Sequence, residues 1–187
     1  LVAMDAQNKH LTENITWADN RSSRYAVLIE NEYNGFEIYQ RTGTPLHPMS
    51  PLSKIFWMKH EQPAIYNQTA KFADIKTYIF YQLFDKYVID YSMASATGMF
   101  NLEQLDWDEK ALKLLGISRD QLPELVPTTH ILTGMKKRFA ELMDIDENTP
   151  VVVGASDGVL SNLGVNSYKK GEVAVTIGTS CLLYTSD

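Results

Sequence analysis

The sequence predicts an α/β fold, because short apolar strands alternate with amphipathic helices along the chain. The chain opens on residues 1–4, an apolar run that reaches a polar turn at residues 5–9. Residues 151–153 and 173–177 are continuous apolar runs, as in strands buried on both faces. Glycine and small polar residues follow each of these two runs directly, which is typical of the end of a strand.

Helix signals lie between the strands. Ser22 can cap a first helix that Gly35 ends. Ser50 and Pro51 form an N-cap followed by a first-turn proline, and the helix they begin ends before Pro63. These signals predict two helices in the first third of the chain.

The middle of the chain predicts two more helices. Asp74 opens one, with apolar residues at spacings of three and four, namely Ile75, Tyr78, Ile79 and Leu83. Asp106 and Glu109 have capping-box spacing before another, which Gly116 ends. Residues 90–100 are too weakly periodic to predict a helix.

Composition limits the class of protein. The chain has 187 residues, of which 44% are hydrophobic, enough for one ordinary domain. The net charge of −6 argues against a nucleic-acid partner, which needs a basic surface. The single cysteine, Cys181, fits a reducing compartment, and no apolar run approaches the ~20 residues of a membrane helix. The four histidines lack metal-ligand spacing. Composition therefore predicts a soluble cytoplasmic protein without membrane or nucleic-acid partners and without a protein-held metal.

The first candidate site follows the strand at 151–153. Ligands of open α/β sheets bind at the carboxyl ends of strands. Asp157 lies there at a predicted helix N-terminus, where the helix dipole favours an ionised carboxylate. Gly154 and Gly158 leave space for a ligand. Asp157 is therefore either a general base that accepts a hydroxyl proton or an N-cap of the helix.

Two further segments are candidates. Gly178, Thr179 and Ser180 offer backbone N–H groups and hydroxyls that can hold phosphate, or they form an ordinary turn. In the second segment, residues 17–21, Trp17 can stack on a sugar, Asp19 can accept hydrogen bonds from hydroxyls and Arg21 can bind a carboxylate. The alternative for this segment is a solvated loop with Trp17 in the core.

Seven segments, in order, resemble the FGGY family of carbohydrate kinases. They are TWADNR, TGTPLHPMSPLSKIFWMK, DYSMASATGMFN, LDWDEKALKLLGI, LP, TPVVVGASDG and VAVTIGTS. The resemblance runs from residue 1 to residue 180, with gluconate kinases as the nearest subgroup and xylulose kinases next. It is specific because separate segments agree in order.

The resemblance implies a partial sugar-kinase/actin/Hsp70-type (ribonuclease H-like) lobe, with the start of a second lobe. Asp157 matches the catalytic base, which also contacts the acceptor. Residues 178–180 match the phosphate-binding turn for ATP. Trp17, Asp19 and Arg21 match the region lining the sugar site.

The implied activity is transfer of the ATP γ-phosphoryl group, with Mg²⁺, to a hydroxyl of a sugar acid or polyol. Gluconate, giving 6-phosphogluconate, is the first expected acceptor, and a homodimer is the expected full-length assembly. Xylulose, ribulose or glycerol kinases are alternatives, as is a non-catalytic sugar-binding module.

The resemblance also implies an incomplete enzyme. Residues 1–165 match the sugar-binding lobe without its first strands, and residues 166–180 match the first strand and phosphate turn of the ATP lobe. Residues 181–187 depart from the family and resemble a non-native tail. The family's D-x-G-T hairpin and glycine-rich adenosine site are not in the sequence, so we expect the isolated chain to be inactive.

Overall fold

The computed structural model describes residues 1–176 and 182–185 and divides the chain into two compact units, residues 1–153 and residues 154–187. The helices of the first unit are α1 (Ser23–Glu32), α2 (Gly35–Thr42), α3 (Pro51–Glu61), α4 (Pro63–Gln68), α5 (Ile75–Phe84), α6 (Tyr91–Ser95), α7 (Glu109–Leu115) and α8 (Lys137–Met143), with a 3-10 turn at Arg119–Gln121. Its strands are β1 (Val2–Met4), β2 (Lys71–Ala73), β3 (Val88–Asp90), β4 (Phe100–Asn101), β5 (Asp106–Trp107), β6 (Glu124–Val126), β7 (Ile131–Leu132) and β8 (Val151–Val152). The second unit contains α9 (Asp157–Gly164), β9 (Val173–Thr176) and β10 (Leu182–Thr185).

The strands of the first unit form short pairs. β1 pairs with β2, β4 with β5 and β7 with β8, all antiparallel, whereas β3 and β6 are parallel. The predicted opening strand is confirmed as β1, and the Asp5 N–H donates to the Lys9 carbonyl at 2.9 Å in the predicted turn. Helices and strands are interspersed along the unit, and the predicted α/β class is confirmed.

The main core lies where the helices of the first unit meet. Its buried side chains include Ile29 of α1, Ile55 and Phe56 of α3, and Leu112 and Leu115 of α7. A second cluster joins α5, β3, β6 and α8, with Phe80, Phe84, Val88, Val126 and Ala140 buried in it. Burial of these apolar side chains is the dominant driving force for folding. Within the described residues, no helix is long and apolar enough to cross a membrane.

Three of the predicted helix ends are confirmed. The Ser50 hydroxyl accepts from the Ser53 N–H, and Pro51 is the first residue of α3. The Asp74 carboxylate accepts from the Thr77 N–H at 2.6 Å at the start of α5. Gly116 ends α7 with a φ of 77°, a left-handed conformation that glycine adopts without strain.

The prediction that Gly35 ends the first helix is wrong. α1 ends at Glu32, Asn34 takes a left-handed φ of 55°, and Gly35 begins α2. A Cβ on Gly35 would lie 2.2 Å from Leu46 Cδ1 and 2.6 Å from the Glu30 Cα. Glycine is therefore required for the close approach of α2 to α1, which no local signal could reveal.

Two other expectations for the middle of the chain are also wrong. The N-cap of α7 is Asp108, not Asp106, because Asp106 is drawn into β5. Residues 91–95 form the short helix α6, which the Asp90 carboxylate caps. The helix predicted after Asp74 is confirmed as α5; its Ile75 and Ile79 are exposed, because the helix buries its other face against the second cluster.

The two late apolar runs are strands, but neither is buried on both faces. Val152 of β8 is 56% exposed, whereas Val153, the next residue, is buried. β9 pairs antiparallel with β10, and its Val173 and Val175 are exposed while Ala174 is buried. Both strands have a one-sided burial pattern.

Candidate functional site

Residues 16–22 lead from the opening strand into α1 without regular secondary structure. The Asp19 N–H donates to the Thr16 carbonyl at 3.2 Å, and the Ser23 N–H donates to the Asn20 carbonyl at 3.0 Å. Ser22 occupies the N-cap position of α1 as predicted, but its hydroxyl donates to the Pro48 carbonyl at 3.0 Å instead of capping the helix. The segment is thus fixed by turns and by a contact with the loop before α3.

Two cavities border this segment, and Asn14, Ile15 and Thr16 line both of them. One, of about 400 Å³, is lined by Asp19, Arg21 and Trp57 among others. The other, of about 320 Å³, is lined by Trp17 and Lys54 among others. The structure therefore places Trp17 on one cavity and the Asp19 and Arg21 pair on the other, where the sequence had grouped all three. Trp17 is 68% exposed, so it does not lie in the core.

Asp19 and Arg21 form an ion pair on the first cavity. The Arg21 Nε donates to Asp19 Oδ1 at 2.8 Å, and Nη2 lies 2.7 Å from Oδ2. The hydrogen bonds from the Arg21 side chain and backbone N–H lower the pKa of Asp19, and the carboxylate raises the pKa of Arg21 in turn. The guanidinium also lies 5.1 Å from the ring centre of Trp57, in a cation–π contact. The pair is thus a preformed polar wall.

A buried lysine that no sequence motif predicted lies beside this segment. Lys54 of α3 is 1% exposed, and its ammonium donates to the carbonyls of Asp19, at 3.2 Å, and Pro48. Burial lowers the pKa of Lys54, and the positive charge of Arg21 lowers it further against the attraction of Asp19. The sequence carries one signal for it, since Lys54 lies among the apolar residues Leu52, Ile55 and Phe56 of the predicted helix.

Asp157 is the first residue of α9, and Ser156 holds the N-cap position. The N-cap alternative for Asp157 is therefore wrong. Its side chain is exposed, and Oδ1 accepts from the Gly158 N–H at 2.9 Å. Gly154 has a φ of 72°, which glycine adopts without strain, and no atom lies within 4 Å of a Cβ built there. The turn before α9 thus presents an exposed carboxylate three residues after a glycine with space for a Cβ.

Gly178, Thr179, Ser180 and Cys181 lie outside the described residues. Trp17, Asp19 and Arg21 belong to the first unit and Asp157 belongs to the second. Across the part of the chain that the structure describes, no group of three or more His, Cys, Asp and Glu side chains could hold a metal ion.

Comparisons with known proteins bear on the whole chain. It is 58% identical over 185 residues to a gluconokinase of Bacillus subtilis, an alignment that covers 99% of this chain and 36% of that protein. Crystal structures of a gluconate kinase and of a ligand-bound xylulose kinase, both from Lactobacillus acidophilus, each match with a TM-score of 0.94 at 36% identity. Each of these matches covers 97% of this chain and 37% of the other. The chain thus spans little more than a third of the length of these relatives.

The family model for the N-terminal domain of the FGGY family of carbohydrate kinases matches residues 1–164. That match covers most of the chain and includes both the segment at residues 17–21 and Asp157. The sugar-kinase fold that the sequence predicted is confirmed by the structural matches. The chain belongs to the FGGY family of carbohydrate kinases.

Proposed function

We propose that the full-length protein containing this chain is an ATP-dependent kinase that phosphorylates gluconate to 6-phosphogluconate. The observation that supports this proposal most strongly is the 58% identity to a gluconokinase, which extends over both candidate site segments. A xylulose kinase is the second candidate, supported by the matching crystal structure at 36% identity. Ribulose and glycerol are further acceptors to be compared.

Residues 17–21 form the acceptor-binding part of this proposal. Trp17 is exposed on the adjoining cavity, and it can pack against the C–H face of an open-chain sugar that extends there from the cavity of Asp19 and Arg21. Asp19 accepts hydrogen bonds from Arg21, and its remaining acceptor capacity is available for sugar hydroxyls. Among the described residues, Arg21 Nη1 has no hydrogen-bond partner, so it can bind the acceptor carboxylate without breaking the ion pair.

Asp157 is the proposed general base. Its carboxylate accepts the proton of the acceptor hydroxyl while the hydroxyl oxygen forms a bond to the γ-phosphorus of ATP. The bond between that phosphorus and the bridging oxygen breaks, and ADP leaves. Because the transition state of phosphoryl transfer is loose, positioning and charge neutralisation supply most of the acceleration. A weakly basic carboxylate is sufficient for this role.

Gly178, Thr179 and Ser180 are the proposed phosphate-binding turn for ATP. Backbone N–H groups in such a turn are suited to phosphate oxygens. The family implies ATP as co-substrate, and we propose that Mg²⁺ accompanies the ATP phosphates, where it would neutralise charge. We place the enzyme in the cytoplasm as a homodimer, acting on small molecules and not on nucleic acid or membranes.

The test is turnover by the protein expressed from the complete coding sequence. Gluconate, xylulose, ribulose and glycerol are compared at equal concentration with ATP and Mg²⁺, by following ADP release. We expect the highest kcat/KM for gluconate and a product mass equal to one added phosphoryl group. A higher kcat/KM for xylulose would favour the second candidate. Binding of gluconate without ADP release would indicate a sugar-binding module.

A further inference from the structure

Lys54 is a buried cation that the proposed reaction does not use directly. Its side chain lies in the middle of α3 and is 1% exposed, between the buried Ser53 and Ile55. A charged side chain is buried at a large cost in solvation, so its hydrogen bonds must compensate for that cost. The contacts of Lys54 therefore indicate why a lysine occupies this position.

Those contacts join three segments of the chain. The ammonium donates to the carbonyl of Asp19 at 3.2 Å and to the carbonyl of Pro48. The Pro48 carbonyl also accepts from the Ser22 hydroxyl at 3.0 Å. Lys54 thus connects α3 to the acceptor-binding segment and to the loop before α3. Ser22, which shares the Pro48 carbonyl with Lys54, is also fully buried.

Lys54 differs from the other buried charges of the first unit in having no carboxylate partner. Asp90 lies against Lys76, and Asp108 against Arg41, but no described carboxylate lies within 4 Å of the Lys54 ammonium. Its two acceptors are backbone carbonyls, whose positions are set by the path of the chain. A lysine bound in this way fixes the backbone more than it balances a charge.

Lys54 also lines the cavity that contains Trp17. One end of the lysine thus sets the backbone position of Asp19, and the same side chain forms part of the wall facing Trp17. Lys54 therefore contacts the backbone of the segment on one side and lines the cavity of Trp17 on the other.

We propose that Lys54 is a positioning residue for acceptor binding: its ammonium holds the backbone at Asp19 so that Trp17 and Arg21 present their side chains to the acceptor. This proposal rests on the proposed function. It assigns Lys54 no contact with ATP. Its loss should therefore weaken acceptor binding selectively.

The test compares Lys54→Met with Lys59→Met in the full-length protein. Lys59 is the matched control, because it lies on the same helix and donates to a backbone carbonyl, that of Leu114 at 3.0 Å. We expect Lys54→Met to raise the KM for the acceptor about 10-fold while the KM for ATP stays within about two-fold, and Lys54→Arg to recover part of the loss. Lys59→Met should leave both values near those of the wild type.

Amide hydrogen exchange of residues 16–22 provides a second readout that does not depend on turnover. Faster exchange in this segment in Lys54→Met, but not in Lys59→Met, supports the proposal. Unchanged exchange, or equal rises in both KM values, overturns it. If Lys54→Met does not fold, Lys54→Gln, which retains N–H donors, is judged by the same readouts. These assays use the acceptor with the highest kcat/KM for the wild type. If that acceptor is not gluconate, the proposed substrate is wrong, but the role of Lys54 is still tested.

Discussion

The two carboxylates proposed for the reaction, Asp19 and Asp157, have opposite environments. Asp19 is paired with Arg21 two residues away, and its hydrogen bonds keep its pKa low. Asp157 is exposed, and its described hydrogen bond is to the N–H of the next residue, Gly158. Asp19 is thus paired with a cation within the first unit, whereas Asp157 is accessible at the start of a helix in the second unit.

The difference is consistent with a division of roles. A paired carboxylate is fixed in orientation and can shape a binding surface, whereas an accessible one can take up a proton from a substrate. Removing a structural carboxylate should therefore reduce stability, and removing the proposed base should reduce turnover alone. The following predictions separate these two effects.

Asp157→Asn in the full-length protein should give the largest effect. We expect kcat to fall by about 10²- to 10⁴-fold, because the amide cannot accept the hydroxyl proton. The free energy of unfolding should change by less than about 0.5 kcal/mol, since the residue is exposed. Kinetics and denaturant unfolding check the two values. Asp120→Asn, at an exposed aspartate in the 3-10 turn, is the control and should retain turnover.

Asp108→Asn should reduce the stability of the 187-residue chain by about 3 kcal/mol, because it leaves Arg41 without its buried partner. Burial alone would raise the pKa of Asp108, but hydrogen bonds from Arg41, the Ala111 N–H and Asn101 outweigh burial and lower it. Urea unfolding of both chains measures the difference. If the free energy of unfolding falls by less than about 1 kcal/mol, the attraction within the pair does little more than offset the cost of burying its two charges.

Arg21→Met should raise the KM for gluconate about 10-fold, a change of about 1.4 kcal/mol in binding. The KM for glycerol, which lacks a carboxylate, should change less. Steady-state kinetics of the full-length protein with both acceptors gives the comparison. Equal changes for the two acceptors would mean that Arg21 supports the segment without recognising the acceptor charge.

Protonation of Asp19 in acid should lower the free energy of unfolding by only a small amount. The folded pKa of Asp19 is lowered, so the pair's contribution is present above the unfolded pKa of about 3.9 and is lost as the pH falls through the folded value. Because Arg21 is half exposed, we expect a contribution of at most about 1 kcal/mol. The difference in unfolding free energy between wild type and Asp19→Asn, measured from pH 5 downwards, should shrink accordingly. A difference that grows on acidification would contradict this assignment.

Capping residues and glycines in the sequence predicted those helix ends that depend only on residues nearby in the chain. Ser50, Asp74 and Gly116 act through atoms within a few positions, so their roles follow from the sequence. Gly35 and Lys54 depend on groups brought close by packing, namely Leu46 and the Asp19 carbonyl, and the sequence carries no record of those distances.

The candidate site shows the same limit. Spacing and family resemblance predicted roles for Asp157 and for residues 17–21, and grouped Trp17, Asp19 and Arg21 together. The turns at Thr16 and Asn20 direct these side chains to two cavities. Periodicity does not encode the course of such a turn, so only the structure shows it.

The most direct test of the division of roles is gluconate binding to the full-length Asp157→Asn protein, measured by calorimetry without ATP. If residues 17–21 bind the acceptor and Asp157 serves the chemical step, the dissociation constant should stay within about three-fold of the wild-type value while turnover is lost. A loss of gluconate binding comparable to the loss of turnover would contradict this division and would assign Asp157 to binding.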